Sequence, residues 1–496
     1  MTKNTKNSPE FTRRGILAAA TALAATTGAA KSQENSSAPE AALYNADILI
    51  TGAYIDTFSQ ENTIYQNGAI AISGNKIIWI GDAQEGDKKF KAKEVIIASG
   101  LIAMPGFTDT HYHTAQQFLR GPRAVSHKKG PSWKKNLIPF ESILEPEDVY
   151  LSGMMGYMSM ISSGTTCFLE SGGPHPDEMG RAGNDVGIRG MIAVNTCDID
   201  GPGGPLPKTH IRSTKQCLDD NAALVKRWSA HPRINAWLSL RQILVNSEEL
   251  RVSMWSLAND LDTTIHTHLS EGTYEIDYTI DNYNLRPPAY FKKLGIFDKR
   301  MHCAHSVLLT DAEVKLYAEN DVSVGHCAFH NYFLAPHKFY EMVSAGIRAG
   351  LGTDGPGARG TLDMFQVAHY AVMGQTLTYG APVHAPGPIS YQEMLKYAVW
   401  NGARAAKLDA KIGSLEIGKC ADIVLCEGND IDQSPCLDGT YTLAAMTTGR
   451  NVLTVIVDGK VVMKNRKFIS IDENMIKEKA KERYRLIHKK FSNIIS

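Results

Sequence analysis

Pro105-Gly106-Phe107-Thr108-Asp109-Thr110-His111-Tyr112-His113 is the stretch that decides the fold. Side chains alternate along a strand, so His111 and His113 project to one side of an extended segment. The segment follows the apolar run Val95-Ile96-Ile97 and contains the end of the turn Met104-Pro105-Gly106. Two imidazoles converging at a strand end are half of a first-row metal site. With sixteen histidines in 496 residues one His-x-His also arises by chance, so the pair needs partners elsewhere.

Those partners follow in order. His266-Thr267-His268-Leu269-Ser270-Glu271 comes after the β-branched Thr263-Thr264-Ile265, which places His268 at the carboxyl end of a strand and Glu271 just beyond it. His302-Cys303-Ala304-His305 and Val322-Ser323-Val324-Gly325-His326 read as two further strands, each ending in a histidine. Ile347-Arg348-Ala349-Gly350-Leu351-Gly352-Thr353-Asp354-Gly355 closes the series with a carboxylate. Helix-length stretches separate these five strand ends. In a closed parallel barrel such ends meet on one face, which holds the active site. The spacing therefore predicts an α/β chain built on a (β/α)8 barrel of the TIM type.

On these residues the chain resembles the amidohydrolase superfamily, in its mononuclear aminohydrolase branch of cytosine and guanine deaminases, S-adenosylhomocysteine/methylthioadenosine deaminases and triazine hydrolases. The matching segments are 105–113, 266–271, Ala304-His305-Ser306-Val307-Leu308-Leu309 and Gly352-Thr353-Asp354-Gly355. Gly413-Ser414-Leu415-Glu416-Ile417-Gly418-Lys419-Cys420-Ala421-Asp422-Ile423-Val424 matches the return into a second domain, and the likeness extends over residues 45–470. The resemblance implies one divalent metal held by His111, His113, His268 and Asp354, with Glu271 and His305 as the proton-transfer pair. Zinc is the expected ion. Three imidazoles and one carboxylate also suit iron or manganese.

The residue types fit that chemistry. Three neutral imidazoles and a carboxylate leave a position for water, whose pKa a bound metal lowers toward ~7. Asp354 can ligate and also accept the water proton, so it counts with Glu271 and His305 among the catalytic residues. His305 can orient the water, and Glu271 can pass a proton to a ring nitrogen or leaving amine. The binuclear branch of the superfamily needs a bridging Lys or Glu at the end of the strand before His268. Ile234-Asn235-Ala236-Trp237-Leu238-Ser239-Leu240-Arg241-Gln242 offers no Lys there, which favours one metal. The expected reaction is hydrolysis of a C–N bond other than a peptide bond, by deamination of an aromatic N-heterocycle. The alternatives are an amide, carbamate or dechlorinating hydrolase of a xenobiotic, and a non-catalytic periplasmic binding protein on an inactive barrel. The completeness of the constellation opposes the last.

The same strand departs from the nucleoside-type deaminases, which carry Pro-His-Ala/Ser-Pro-Tyr where this chain has Leu240-Arg241-Gln242-Ile243-Leu244-Val245-Asn246-Ser247. Arg241 and Gln242 are planar, multi-donor groups suited to a carboxylate or a heterocycle edge. Phe118, Arg120, Trp133, Arg241, Gln242 and Arg359 are the expected substrate-binding residues.

Phe11-Thr12-Arg13-Arg14-Gly15-Ile16-Leu17 and the Ala-rich run to Ala30 read as a twin-arginine export signal, with a polar linker to residue 40. This implies the twin-arginine export machinery as a partner, a periplasmic or secreted enzyme, and no stable membrane anchor. Balanced charge, 52 basic against 52 acidic residues without blocks, gives no reason to expect a nucleic-acid partner. The expected partner is a small-molecule substrate, with a homo-oligomer allowed. Eight scattered cysteines without a Cys-x-x-Cys pair read mostly as buried thiols. Short strands at 46–50, 69–72, 76–80, 422–425, 452–457 and 460–462 predict one discontinuous β-sandwich, in two parts at 41–104 and 413–470. It would surround the barrel at 105–412. Residues 471–496 would add a terminal helix. The Met-rich helix over 147–163 reads as core, and Asp200-Gly201-Pro202-Gly203-Gly204-Pro205 as a loop above the barrel mouth.

Overall fold

The computed structural model describes residues 43–119, 131, 133–358 and 360–495. The export-signal reading at 1–40 and the expected pocket residues Arg120 and Arg359 lie outside the described residues.

The parallel strands Phe107–Tyr112, Thr165–Glu170, Arg189–Ile192 and Ile234–Ala236 form one four-stranded run, and Leu238–Gln242, Ile265–Leu269, Met301–His305, Ser323–His326 and Ala349–Leu351 form a five-stranded run. Ile234–Ala236 and Leu238–Gln242 are a single barrel strand broken at Trp237, so the strands number eight. Trp237 donates its backbone N–H to Ile192 (3.2 Å) and its indole N–H to the Glu170 carbonyl (2.8 Å), which bends the chain from one run into the other. The other seam is closed by Thr110 Oγ1 donating to the Leu351 carbonyl (2.8 Å) and by the Asp354 N–H donating to the His111 carbonyl (2.9 Å). Every described residue of the five strands from Leu238 to Leu351 is buried, as a barrel wrapped by helices requires.

The wrapping helices begin where short polar side chains can satisfy the first free N–H groups. Ser213 with Gln216 and Thr310 with Glu313 form reciprocal caps, and Pro146 opens Pro146–Ser162 from the N1 position. Met154, Met158 and Met160 of that helix are core residues, as expected.

Both ends of the chain build the sheet-rich second domain together, its nine strands joined in one hydrogen-bonded sheet. The reason is one long strand, Tyr44–Asp56. Its first half pairs in parallel with Phe90–Ile97, and its second half passes to Leu101–Pro105. Leu101–Pro105 then pairs antiparallel with Ile423–Glu427, which joins the two terminal segments through hydrogen bonds. Ile50, Ile70, Ile72, Ile423 and Ile456 meet in one buried cluster on this sheet. Only Gly106 separates Leu101–Pro105 from the first barrel strand. A Cβ at Gly106 would collide with the Thr166 side chain, so glycine is what lets the two strands cross.

Arg189, on the third barrel strand, binds Asp422 with two hydrogen bonds (2.9 and 3.0 Å) and Asp458 with a third (3.0 Å), which fastens the barrel floor to the sheet. The terminal helix Glu473–Ile495 is held by Arg483 to Asp148 (2.6 Å) and Glu145 (2.9 Å), and by His488 Nε2 donating to the Phe118 carbonyl (2.8 Å). All eight cysteines are free, seven of them buried. Among the described residues no helix is long and apolar enough to cross a membrane.

Candidate active site

His111 and His113 leave the first strand and meet His268, His305 and Asp354 at the carboxyl face. Four residues that shape these strand ends, Ser270, His305, Ser306 and Asp354, have left-handed backbone, with φ between 50° and 69°. Non-glycine residues adopt that conformation where surrounding structure imposes it, as at functional sites.

Hydrogen bonds on the far nitrogens settle how the imidazoles face one another. His268 Nδ1 donates to the Arg241 carbonyl (2.7 Å), so its Nε2 turns a lone pair inward. His113 Nδ1 bonds Ser171 Oγ (2.7 Å), and His111 Nδ1 bonds His266 Nε2 (2.9 Å). The His113 and His268 Nε2 atoms stand 3.2 Å apart, and Asp354 Oδ1 is 3.0 Å from His111 Nε2 and 3.4 Å from His113 Nε2. The inward lone pair of His268 Nε2 at that distance takes either a proton carried by His113 Nε2 or a cation held between the two rings. Nitrogens each about 2.0–2.1 Å from a tetrahedral ion are about 3.3 Å apart, so the donor set fits a zinc-like ion. Burial lowers the pKa of His111, His113 and His268, which favours the neutral form a ligand needs.

His305 approaches from the sixth strand. Its Nδ1 donates to Asn331 Oδ1 (3.0 Å), and the ligating atoms of His111, His268 and His305 lie within 4.8 Å of one another. Asp354 is buried, which works to raise its pKa. The hydrogen bond with His111 and the His330 and His305 rings outweigh burial and hold the carboxyl well below the usual range. Cys327 Sγ also lies within 4.8 Å of His111 and Asp354 ligating atoms, but burial pushes its thiol well up.

Glu271 is 9% exposed and caught between two walls. Its Oε2 accepts from the Tyr274 hydroxyl (2.7 Å) and from Gln242 Nε2 (2.9 Å). Its Oε1 faces His330 Nε2 at 3.5 Å. Burial again opposes ionisation, yet His305, His330 and Tyr274 bring the carboxyl down to about 2. Beneath the site, burial raises other carboxyls: Asp109 and Glu170 to about 7 and Glu275 to about 8. Each is tied to the framework. Asp109 accepts from Thr353 and His111, Glu170 from Thr114, and Glu275 from the Glu271 backbone N–H.

The expected pocket residues divide. Gln242 touches Glu271 directly, and its Oε1 has no partner among the described residues. Trp133 reaches the same group indirectly, donating its indole N–H to the Tyr274 hydroxyl (3.0 Å). Arg241 does not present its guanidinium to a substrate. It is 3% exposed, ion-paired with Glu141 (3.4 Å) and bonded to the Gly172 carbonyl, while its own carbonyl orients His268. The Phe118 ring is buried in the core. His326, at the end of the seventh strand, turns away from the centre and packs on His337 with ring centroids 3.9 Å apart.

Tyr274, His330, Ser171, Asn331 and His266 are the residues that sequence reading missed. Tyr274 follows Glu271 by three positions and His330 follows His326 by four, the spacings that bring side chains together around a helix start. Ser171, Asn331 and His266 carry no local signal.

The amidohydrolase family model matches residues 102–462. A 5-methylthioadenosine/S-adenosylhomocysteine deaminase of Acetivibrio thermocellus is 30% identical over 446 residues, which cover 88% of this chain and 98% of the relative. A 5'-deoxyadenosine deaminase of Methanosarcina acetivorans is 29% identical over 441 residues, 88% of this chain and 97% of that one. Among solved structures, a zinc-bound adenosine deaminase from Xanthomonas campestris superposes with a TM-score of 0.82 at 24% identity, over 90% of this chain and all of that one. A zinc complex of atrazine chlorohydrolase from Arthrobacter aurescens gives 0.78 at 20% identity, over 88% of this chain and all of that one. A strand-end histidine cluster on a closed barrel, a family model spanning most of the chain and relatives aligned over nearly their full length lead to one conclusion: the chain belongs to the amidohydrolase family.

Proposed function

We propose that this enzyme is a mononuclear, zinc-dependent aminohydrolase that deaminates an aromatic N-heterocycle. The observation that carries the reading is the meeting of three inward imidazole nitrogens and Asp354 with Glu271 held beside them by Tyr274 and Gln242. A divalent ion would be held by His111, His113, His268 and Asp354 and would supply Lewis acidity that lowers the pKa of a water toward ~7.

The chain's own residues do the rest. Asp354 receives a water proton. His305, its Nδ1–H tied to Asn331, presents Nε2 to orient the attacking oxygen. Glu271, ionised in the resting site, takes one water proton on Oε1, since Oε2 is occupied by two donors, and passes it to the ring nitrogen. The other water proton, received by Asp354, goes to the departing amine as the C–N bond breaks, giving ammonia. An amidine-like ring carbon needs that proton before it accepts a nucleophile. Gln242 Oε1 offers an acceptor for an N–H of the heterocycle edge. The names of the relatives put purine nucleosides at the head of the substrate panel, and Gln242 at the end of the fourth strand leaves room for other amino-heterocycles.

The test is ammonia release by the zinc-loaded chain from Lys31 onward, across amino-purines, pyrimidines, pteridines and triazines, with Glu271→Gln as control. Ammonia from wild type that falls at least ~10²-fold in the variant supports the reading. Substrate consumed without ammonia would redirect it to another bond. Export through the twin-arginine route is a separate proposal resting on Arg13-Arg14, and cell fractionation of Arg13→Lys/Arg14→Lys tests it.

A further inference from the structure

We infer that His266 is a positioning residue of the metal centre: its Nε2 holds the proton of His111 on the far nitrogen, and the site's grip on a divalent ion depends on that bond. The inference rests on the metal reading above and goes beyond it, because His266 touches neither ion nor substrate. His266 lies two positions before His268 on Ile265–Leu269, so by strand alternation it points into the barrel one layer beneath the ligands. It is fully buried, and its Nε2 stands 2.9 Å from His111 Nδ1, with the two ring planes tilted by only 5°.

Barrel interiors are filled mainly by branched aliphatic side chains. Here the layer beneath the ligands holds two imidazoles, and they differ. His302 is paired at both nitrogens, with Ser323 Oγ at Nδ1 (3.0 Å) and the Thr110 carbonyl at Nε2 (2.9 Å). His266 is paired at Nε2 alone, and its Nδ1 is buried with no partner among the described residues. The rest of its ring meets Trp237 and His302, with centroids 5.3 and 5.6 Å away. A half-paired buried imidazole costs stability that an aliphatic side chain would not, so the one bond it makes is what the position serves.

A neutral imidazole that binds an ion through Nε2 carries its proton on Nδ1. His111 turns Nε2 toward Asp354 Oδ1 (3.0 Å) and Nδ1 toward His266, so its proton has two places to sit. On Nε2 it stands where the ion must bind. The lone pair of His266 Nε2 draws it to Nδ1 and leaves Nε2 open. Among the described residues His266 is the only partner of His111 Nδ1.

The experiment measures zinc affinity by chelator competition, and melting of the metal-free chain, in wild type, His266→Leu, His266→Gln and His302→Leu. His266→Leu should weaken zinc about 10- to 100-fold, the loss expected for a partner behind a ligand. Its metal-free chain should melt close to wild type, since the imidazole removed was only half paired. His266→Gln, whose amide oxygen can take the place of Nε2, should bind zinc within ~3-fold of wild type. His302→Leu should do the reverse, binding zinc within ~3-fold of wild type and melting lower, because it leaves buried groups unpaired. Zinc affinity of His266→Leu within ~3-fold of wild type overturns the inference alone, and so does an equal loss in His266→Gln. His266→Met takes the place of the Leu variant should that one fail to fold. Wild type that binds no zinc overturns the metal reading, and the inference with it.

Discussion

The fifth and seventh barrel strands end alike in sequence and differently in space. Each carries a histidine at its carboxyl end, His268 as the next-to-last residue and His326 as the last, and each histidine is followed three or four positions on by a second polar residue, Glu271 or His330. At the fifth strand the histidine faces the centre because its Nδ1–H donates to the Arg241 carbonyl and leaves Nε2 turned inward. At the seventh, Asn331 donates to His326 Nδ1 (2.9 Å) and the ring stacks on His337, so His326 is held outside the centre and His330 reaches it instead. The far-side hydrogen-bond partner, not the position at a strand end, decides which histidine is available for chemistry.

Swapping the two histidines for asparagine gives the largest contrast. His268→Asn should lose bound zinc and essentially all activity. His326→Asn should keep about one zinc per chain and lose only stability, by about 1–3 kcal/mol for the buried groups left unpaired. Metal analysis and thermal melts decide it, and zinc loss in both variants would break the comparison. Next in size is the support behind His268. Glu141→Leu leaves Arg241 as an unpaired buried charge and should cost about 3–5 kcal/mol of stability by denaturant titration. Adding Arg241→Met to it should restore most of that loss.

On the seventh-strand side, Asn331→Ala frees His305 Nδ1 and should lower kcat about 10-fold with zinc content unchanged, an effect at the low end for partners behind a metal site. Loss of zinc in this variant would show that Asn331 supports the ligands rather than His305.

A pH slope adds a further prediction. Burial raises Glu275 to about 8 in the folded chain, against about 4.3 unfolded. Between those values the folded state binds the extra proton, so this group's contribution is fully present below about pH 4.3 and is lost as pH rises toward 8. Glu275→Gln should therefore melt with a shallower decline between pH 5 and 8 than wild type. An unchanged slope would mean that the carboxyl does not titrate there.

Much of the site was legible because it depends on local geometry. His111 and His113 share a side by strand alternation, and glycines or polar residues mark the strand ends where side chains must emerge. The sheet at the chain ends was legible only in part. The stretch 44–56 reads as an ordinary strand, and nothing in its pattern says that its two halves pair with different neighbours. Arg241 read as a substrate contact because its strand-end position is right. Its partner Glu141 lies 100 residues away, on an element whose approach no periodicity reveals.

By itself the sequence determined the order of barrel strands, the residue types gathered at their carboxyl ends and therefore the class of metal chemistry. These follow from side-chain alternation and from the coordination preferences of imidazole and carboxylate, which act over a few residues. Tertiary structure alone decided which nitrogen of each imidazole faces inward, that Arg241 is consumed by Glu141, and that His330 rather than His326 joins Glu271 and Asp354. A hydrogen-bonding direction depends on which distant donor or acceptor is buried beside the group, and burial is a property of the packed chain.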